Sequence, residues 1–305
     1  VPLLGPKEFV RSPEAMAARW TPAEATDYTR RLATHHYENF HIASFLLPRR
    51  LHQDFYNVYA YCRWADDLGD EIGDTEESLR LLEWWRSELD EMYAGRARHP
   101  VFVALRSTIE KYAIPPEPFH DLIRAFVQDQ TVTRYETWSG LLEYCRYSAN
   151  PVGRLVLYLC GYSDGERQRL SDSTCTALQL ANFWQDVTVD LDKDRVYLPL
   201  EVLRRHGYTL EDLAARRMTL AFAAAMREMV DRTRTLFLEG LPLARRVGRR
   251  LAVDIELFSR GGLRVLDKIE RQNYDVLSRR PAISKAERAG LLLGTLARAA
   301  FARAA

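Results

Sequence analysis

The sequence predicts an all-α protein folded as one domain over residues 1–305, and three observations predict it. From Pro22 onward apolar residues recur at spacings of three and four, with few β-branched runs and little strict alternation. The breaks between these periodic stretches carry proline, glycine or aspartate. They fall at Pro48, Gly69 to Asp74, Gly95 to Pro100, Pro115-Pro116-Glu117-Pro118, Gly161 to Gly165, Asp192 to Pro199, Gly240 to Pro242 and Arg280-Pro281. No break is long enough to separate domains, and neither an internal repeat nor a low-complexity linker interrupts the chain. Residues 1–22, with Pro2, Pro6, Pro13 and Pro22, read as an irregular lead-in.

Composition narrows the function classes. The 305 residues are 47% hydrophobic and 28% charged, as in an ordinary globular protein. A net charge of +1 gives no electrostatic footprint for nucleic acid or for a polybasic membrane anchor. Cys62, Cys145, Cys160 and Cys175 have apolar or aromatic neighbours and no C-x-x-C spacing, which predicts free buried thiols in a reducing cytosol. No signal peptide is visible and no apolar run reaches the roughly 18 residues of a membrane span. A cytoplasmic location is therefore expected. Leu291 to Ala305 is apolar on one side but carries Arg298 and Arg303, so it is expected to dock on the core, with peripheral contact at the inner face of the cell membrane as the alternative.

The chemistry-bearing residues lie in two acidic helices. In Tyr59-Ala-Tyr-Cys-Arg-Trp-Ala-Asp-Asp-Leu-Gly-Asp-Glu71, helical spacing aligns Tyr59, Arg63, Asp66 and Asp70 on one face. Asp67 and Glu71 form a second pair about 100° away. Downstream, Gln179, Asn182, Asp186 and Asp190 step by three, four and four along a helix whose other faces are leucine, alanine, phenylalanine and valine. Carboxylates at i and i+4 repel by a few tenths of a kcal/mol unless a cation sits between them. Magnesium, a hard ion held by one or two carboxylates plus phosphate oxygens, accounts for both stripes. Two such helices facing each other would grip a diphosphate through shared ions and neutralise it as a leaving group. Arg63, and Arg195 with Tyr197 just past the second stripe, supply donors to the same oxygens.

This pair of motifs resembles the squalene and phytoene synthase family, head-to-head prenyl-coupling enzymes of the all-α isoprenoid-synthase fold, a helical bundle around a central cavity. The resemblance runs from about His36 to Arg279. It implies that Asp66 with Asp70 and Asp186 with Asp190 are the metal-binding pairs. It also implies that Arg63, Gln179, Asn182 and Arg195 contact metal-bound diphosphate or the reacting centre. Tyr144, in Tyr-Cys-Arg-Tyr-Ser-Ala-Asn-Pro-Val-Gly153, matches the tyrosine that opens the family's central helix motif. Arg279, after Asn273-Tyr274, matches a diphosphate-contacting arginine.

Three departures set the chain apart. His36-Tyr-Glu-Asn-Phe40 puts Glu38 where many members have a diphosphate-binding lysine. Ser148-Ala-Asn150 followed by Pro151 replaces Val-Ala-Gly, and Gly261-Gly262 stands where coupling members usually have a tyrosine. The combination is similar to the bacterial hopanoid-pathway branch that converts presqualene diphosphate and water to hydroxysqualene. Asn150, or space over Gly262, is expected to hold the capturing water. Phe40, Phe45, Tyr59, Tyr144 and Phe183 are candidate cation-facing rings, although each serves equally as core packing.

The resemblance implies Mg²⁺ as cofactor, presqualene or farnesyl diphosphate as substrate, and functional association with other squalene-pathway enzymes. Coupling of two prenyl diphosphates is the alternative reaction, and a non-catalytic scaffold the alternative of another class. No glycine-rich dinucleotide fingerprint is present. The histidines His35, His36 and His41 lack metal-ligand spacing. Trp84, Trp85 and Trp138 are expected in the core or at helix interfaces.

Overall fold

Proline and short polar caps start most of the helices. The computed structural model describes residues 4–35 and 48–301. Glu38, His36, Phe40, His41 and Phe45 lie outside them. Among the described residues there is no β-strand, only an isolated bridge between Arg134 and Val196. No described helix is long and apolar enough to cross a membrane. The sequence reads as one domain; by their contacts the residues gather into two compact units, Val1–Thr131 with Arg154–Ser163, and Val132–Gly153 with Asp164–Ala305.

The first unit contains α1 (Pro6–Val10), α2 (Pro13–Ala17), α3 (Pro22–His35), α4 (His52–Asp70), α5 (Thr75–Tyr93), α6 (Pro100–Tyr112) and α7 (Glu117–Asp129). The predicted irregular lead-in thus carries two short helices. In both, proline occupies the first turn, where its missing N–H costs nothing and its fixed φ suits the helix. Thr21 and Glu24 form a reciprocal cap at the start of α3.

The core of this unit is aromatic. Trp64 stacks on Trp85 at 5.0 Å, and the buried His99 ring meets Trp64 edge-on at 4.3 Å. Burial holds the His99 pKa well below the usual histidine range, so the ring is neutral at pH 7. A polar network ties α3, α4 and α6 together. The Thr29 hydroxyl donates to Asn57 Oδ1 at 2.7 Å, Asn57 Nδ2 donates to Thr108 Oγ1 at 3.0 Å, and Thr108 donates to Asp54 at 3.0 Å. Each such bond contributes about 1 kcal/mol, and losing one partner costs more because the other stays buried. The apolar face of α4 is thereby fixed from Phe55 to Leu68, leaving its last turn to carry the acids.

The second unit contains α8 (Trp138–Ser148), the first turn of α9 (Asn150–Leu159), α10 (Gly165–Gln185), α11 (Val187–Asp192), α12 (Leu200–Arg205), α13 (Leu210–Ala214), α14 (Leu220–Gly240), α15 (Arg249–Arg271) and α16 (Lys285–Phe301). The chain passes into the first unit within α9 and returns at Asp164, whose carboxylate caps α10 by accepting from the Arg167 amide. Helix α10 packs along α14. Trp184 Nε1 donates to Thr233 Oγ1 at 2.8 Å, and at Gly240 a Cβ would lie 3.0 Å from both Leu170 O and Thr174 N. Only glycine permits that approach of two backbones. All four cysteines are free, as their spacing predicts, but only Cys145 is buried, and Cys62, Cys160 and Cys175 are partly exposed.

One buried acid stands apart. Asp254 on α15 is 3% exposed, and its Oδ1 has no hydrogen-bond partner among the described residues. Burial alone pushes its pKa up to about 7. The folded state therefore holds a proton that the unfolded chain releases near pH 4, so stability falls as pH rises from about 4 to 7. Asp254→Asn should raise thermal stability at pH 8, by up to about 4 kcal/mol, and leave it nearly unchanged at pH 4. Calorimetric melting of both proteins at the two pH values checks this.

Candidate active site

The first stripe occupies the last turns of α4. Tyr59 and Asp66 are half-buried and Asp70 is exposed. Helical spacing separates Asp66 from Asp67 and Glu71, yet Arg63 joins them. Its guanidinium lies 3.6 Å from Asp66 Oδ2, 2.5 Å from Asp67 Oδ1 and 3.0 Å from Glu71 Oε1. Burial works against the charge on Arg63, but the three carboxylates outweigh it and hold its pKa above the ordinary arginine value. Asp67, nearly inaccessible, is pushed up to about 7 by burial, with Arg63 pulling the other way. Burial also raises the Tyr59 hydroxyl.

The second stripe runs from α10 into α11. Asp186 departs from helical geometry, with φ −107° and ψ 16°, so the predicted continuous helix is two helices. The backbone bonds nevertheless continue across the joint, from Asp186 N to Asn182 O and from Asp190 N to Asp186 O, both 2.9 Å. The stripe therefore survives. Asn182 Nδ2 donates to Asp186 Oδ2 at 2.7 Å, and Gln179 is half-buried one turn earlier. Asp190 is pushed up to about 6, by burial first and by the Asp186 charge second. Two neighbouring carboxylates that resist sharing negative charge are well disposed to bind a cation.

Just past the stripe, the Arg195 amide donates to Asp190 O at 2.8 Å. The buried Tyr197 ring lies flat on Phe183, 3.9 Å between centroids and 4° between planes. Tyr144 stacks beside both, at 5.9 Å from Tyr197 and 6.2 Å from Phe183, and Tyr135 completes the cluster. The structure thus brings Tyr144, Phe183 and Tyr197 together next to the acids of this unit.

In the central motif Asn150 is buried, and its Oδ1 accepts from the Thr176 hydroxyl on α10 at 2.9 Å. The expected space over Gly262 does not exist. A Cβ there would run into the ring of Phe237, which is fully buried on α14. At the neighbouring Gly261 a Cβ would meet nothing within 4 Å.

The donors suit a hard divalent cation. Among the described residues no three metal-binding side chains converge into a ready-made cage. A carboxylate pair on each helix instead matches an ion that takes few protein oxygens and fills its shell with water and phosphate.

Comparison with known proteins decides the family. The squalene/phytoene synthase family profile matches residues 33–287. The chain belongs to the squalene/phytoene synthase family. The chain is 36% identical over 259 residues to the phytoene synthase of Thermus thermophilus, covering 84% of this chain and 87% of that protein. It is 35% identical over 251 residues to the hydroxysqualene synthase of Rhodopseudomonas palustris, covering 81% and 84%. The crystal structure of the squalene synthase HpnC from Alicyclobacillus acidocaldarius superposes with a TM-score of 0.80 at 46% identity, covering 83% of this chain and 95% of that one. The all-α arrangement is thus that of squalene synthase-like structures.

One residue of the synthase's second stripe escapes the sequence reading. Arg280 Nε donates to Asp186 Oδ1, whereas Arg279, the arginine that the sequence puts forward, offers its backbone carbonyl to Gln272 Nε2 at 3.1 Å, and both residues are exposed. The adjacent Arg-Arg pair was the available signal. For the glycine contact, Gly262→Ala should destabilise the synthase by about 1–3 kcal/mol through overpacking. Adding Phe237→Leu should restore part of that loss, read as melting temperatures of the single and double variants.

Proposed function

We propose that this synthase ionises presqualene diphosphate in the presence of magnesium and delivers water to the carbocation, releasing hydroxysqualene, diphosphate and a proton. Asp66 and Asp70 on α4, and Asp186 and Asp190 at the α10–α11 joint, are the proposed magnesium ligands. Bound magnesium would supply charge neutralisation of the departing diphosphate. Arg63, Arg195 and Arg279 are proposed to donate to diphosphate oxygens, and Tyr59, Gln179 and Asn182 to orient the bound group. The stacked faces of Tyr144, Phe183 and Tyr197 would stabilise positive charge and keep bulk water out.

The observation that carries the choice of water as nucleophile is Asn150. The proton that a capturing water loses passes to the released diphosphate, and before attack the water needs a hydrogen-bond acceptor that turns one of its lone pairs to the cation. Asn150 Oδ1, fixed by Thr176, retains a second lone pair for that role. Similarity to the Rhodopseudomonas palustris hydroxysqualene synthase over most of both chains supports the same reading. The comparable similarity to a phytoene synthase favours a second one, head-to-head coupling of two farnesyl diphosphates to presqualene diphosphate, squalene or dehydrosqualene. A non-catalytic scaffold has no use for the aspartate pairs, which are both intact. We further propose that the oily substrate brings the synthase into peripheral contact with the membrane and into functional association with other squalene-pathway enzymes.

Incubation with presqualene or farnesyl diphosphate and Mg²⁺, with and without NADPH, followed by mass spectrometry, tests the choice. Hydroxysqualene from presqualene diphosphate without NADPH is expected, and turnover of farnesyl diphosphate alone would favour coupling. Asn150→Ala should lower the hydroxysqualene share of product about tenfold, the equivalent of one hydrogen bond worth about 1.4 kcal/mol. An unchanged product ratio would remove Asn150 from the water-capture role.

A further inference from the structure

The turn that follows the second stripe stands over empty space. Asp192, Asp194, Leu191 and Val196 line one side of a cavity of about 360 Å³, opposite Leu210 and Leu213 of α13. Side-chain packing from below therefore does little to fix the turn. Its backbone is also unfavourable, because Asp194 sits at φ 55°, in the left-handed region that favours glycine. Yet this turn carries Arg195 and leads into Tyr197, and its amides close on the second acid pair. Lys193 N and Arg195 N both donate to Asp190 O, at 3.0 and 2.8 Å.

What restrains the turn is a strap of chain from before α8. Val196 N donates to Thr133 O at 2.8 Å, Leu200 N to Tyr135 O at 3.0 Å, and Glu201 N to Glu136 O at 2.9 Å. The Glu201 carboxylate accepts from the Trp138 amide at 2.8 Å. At the open end of this zipper, Arg134 reaches over the turn. Nη1 donates to the Asp194 carbonyl and Nη2 to the Asp194 carboxylate. Arg216 grips Asp192 from α13's side. An exposed ion pair alone does little. This one is two-pronged, and one prong holds the carbonyl of the residue in the strained conformation.

We propose that Arg134 is a positioning residue for the diphosphate end of the substrate. It fixes the Asp192–Arg195 turn, and so the placement of Arg195 against Asp190, without touching substrate. The inference rests on the reading that Asp190 and Arg195 serve a diphosphate.

Calorimetric titration with inorganic diphosphate and Mg²⁺, alongside kcat and KM for the prenyl diphosphate that is turned over, tests it. Arg134→Ala should weaken magnesium diphosphate binding at least tenfold and raise KM more than it lowers kcat. Arg134→Lys, with one ammonium for two acceptors, should recover only part. Asp194→Gly, which relaxes the left-handed backbone, should bind better than Asp194→Ala. Arg204→Ala, which removes the exposed Glu136 pair on the same strap, should bind as the unaltered protein does. Wild-type binding by a folded Arg134→Ala protein would overturn the proposal, as would equal losses in Arg134→Ala and Arg204→Ala. An unaltered protein that binds magnesium diphosphate but releases none from presqualene or farnesyl diphosphate would overturn the functional reading, while the binding series would still decide the role of Arg134.

Discussion

Carboxylates one helical turn apart repel, and the helices that carry them are held in place by what their other faces bury. On α4, Phe55, Tyr61 and Trp64 lock into the aromatic core before the chain reaches Asp66, and Leu68 does so between Asp66 and Asp70. On α10, Leu180, Ala181 and Trp184 anchor the helix against α14 just ahead of Asp186. Burying a large apolar side chain contributes about 1.5–3 kcal/mol, against a few tenths for one like-charge pair. Packing therefore wins, and the helix can present acids that a free peptide would avoid.

The two stripes balance their charge differently. In the first, Arg63 gathers Asp66, Asp67 and Glu71 around one guanidinium, and burial of Asp67 keeps that carboxyl partly protonated near neutral pH. In the second, Asp186 is held by Asn182 and Arg280, while burial first and the Asp186 charge second raise the pKa of Asp190. Both arrangements keep negative charge concentrated yet incompletely neutralised. A divalent cation relieves that condition more effectively than a monovalent side chain does.

Much of this was legible in the sequence, because periodicity and caps are local. The spacing placed Asp66 with Asp70 and Asp186 with Asp190 on common faces, and the breaks at Gly95 to Pro100 and at Pro115 to Pro118 fall at the starts of α6 and α7. What stayed hidden depends on partners far along the chain. Arg134 and Asp194 are 60 residues apart, and nothing in either segment announces the other. The ring of Phe237 occupies the space at Gly262, one of the two places expected to hold the capturing water. Arg280 rather than Arg279 meets Asp186, a contact between residues 94 apart in the chain. The lead-in differs for another reason: a proline breaks a helix in its interior, but Pro6 and Pro13 stand in the first turn, where they start one.

The central claim is that both aspartate pairs bind metal. Crystals grown with Mn²⁺ and inorganic diphosphate, measured at the manganese absorption edge, test it most directly. Anomalous peaks within bonding distance of Asp66 or Asp70 and of Asp186 or Asp190 are the expected result. Well-ordered diphosphate with no manganese at either pair would contradict the account.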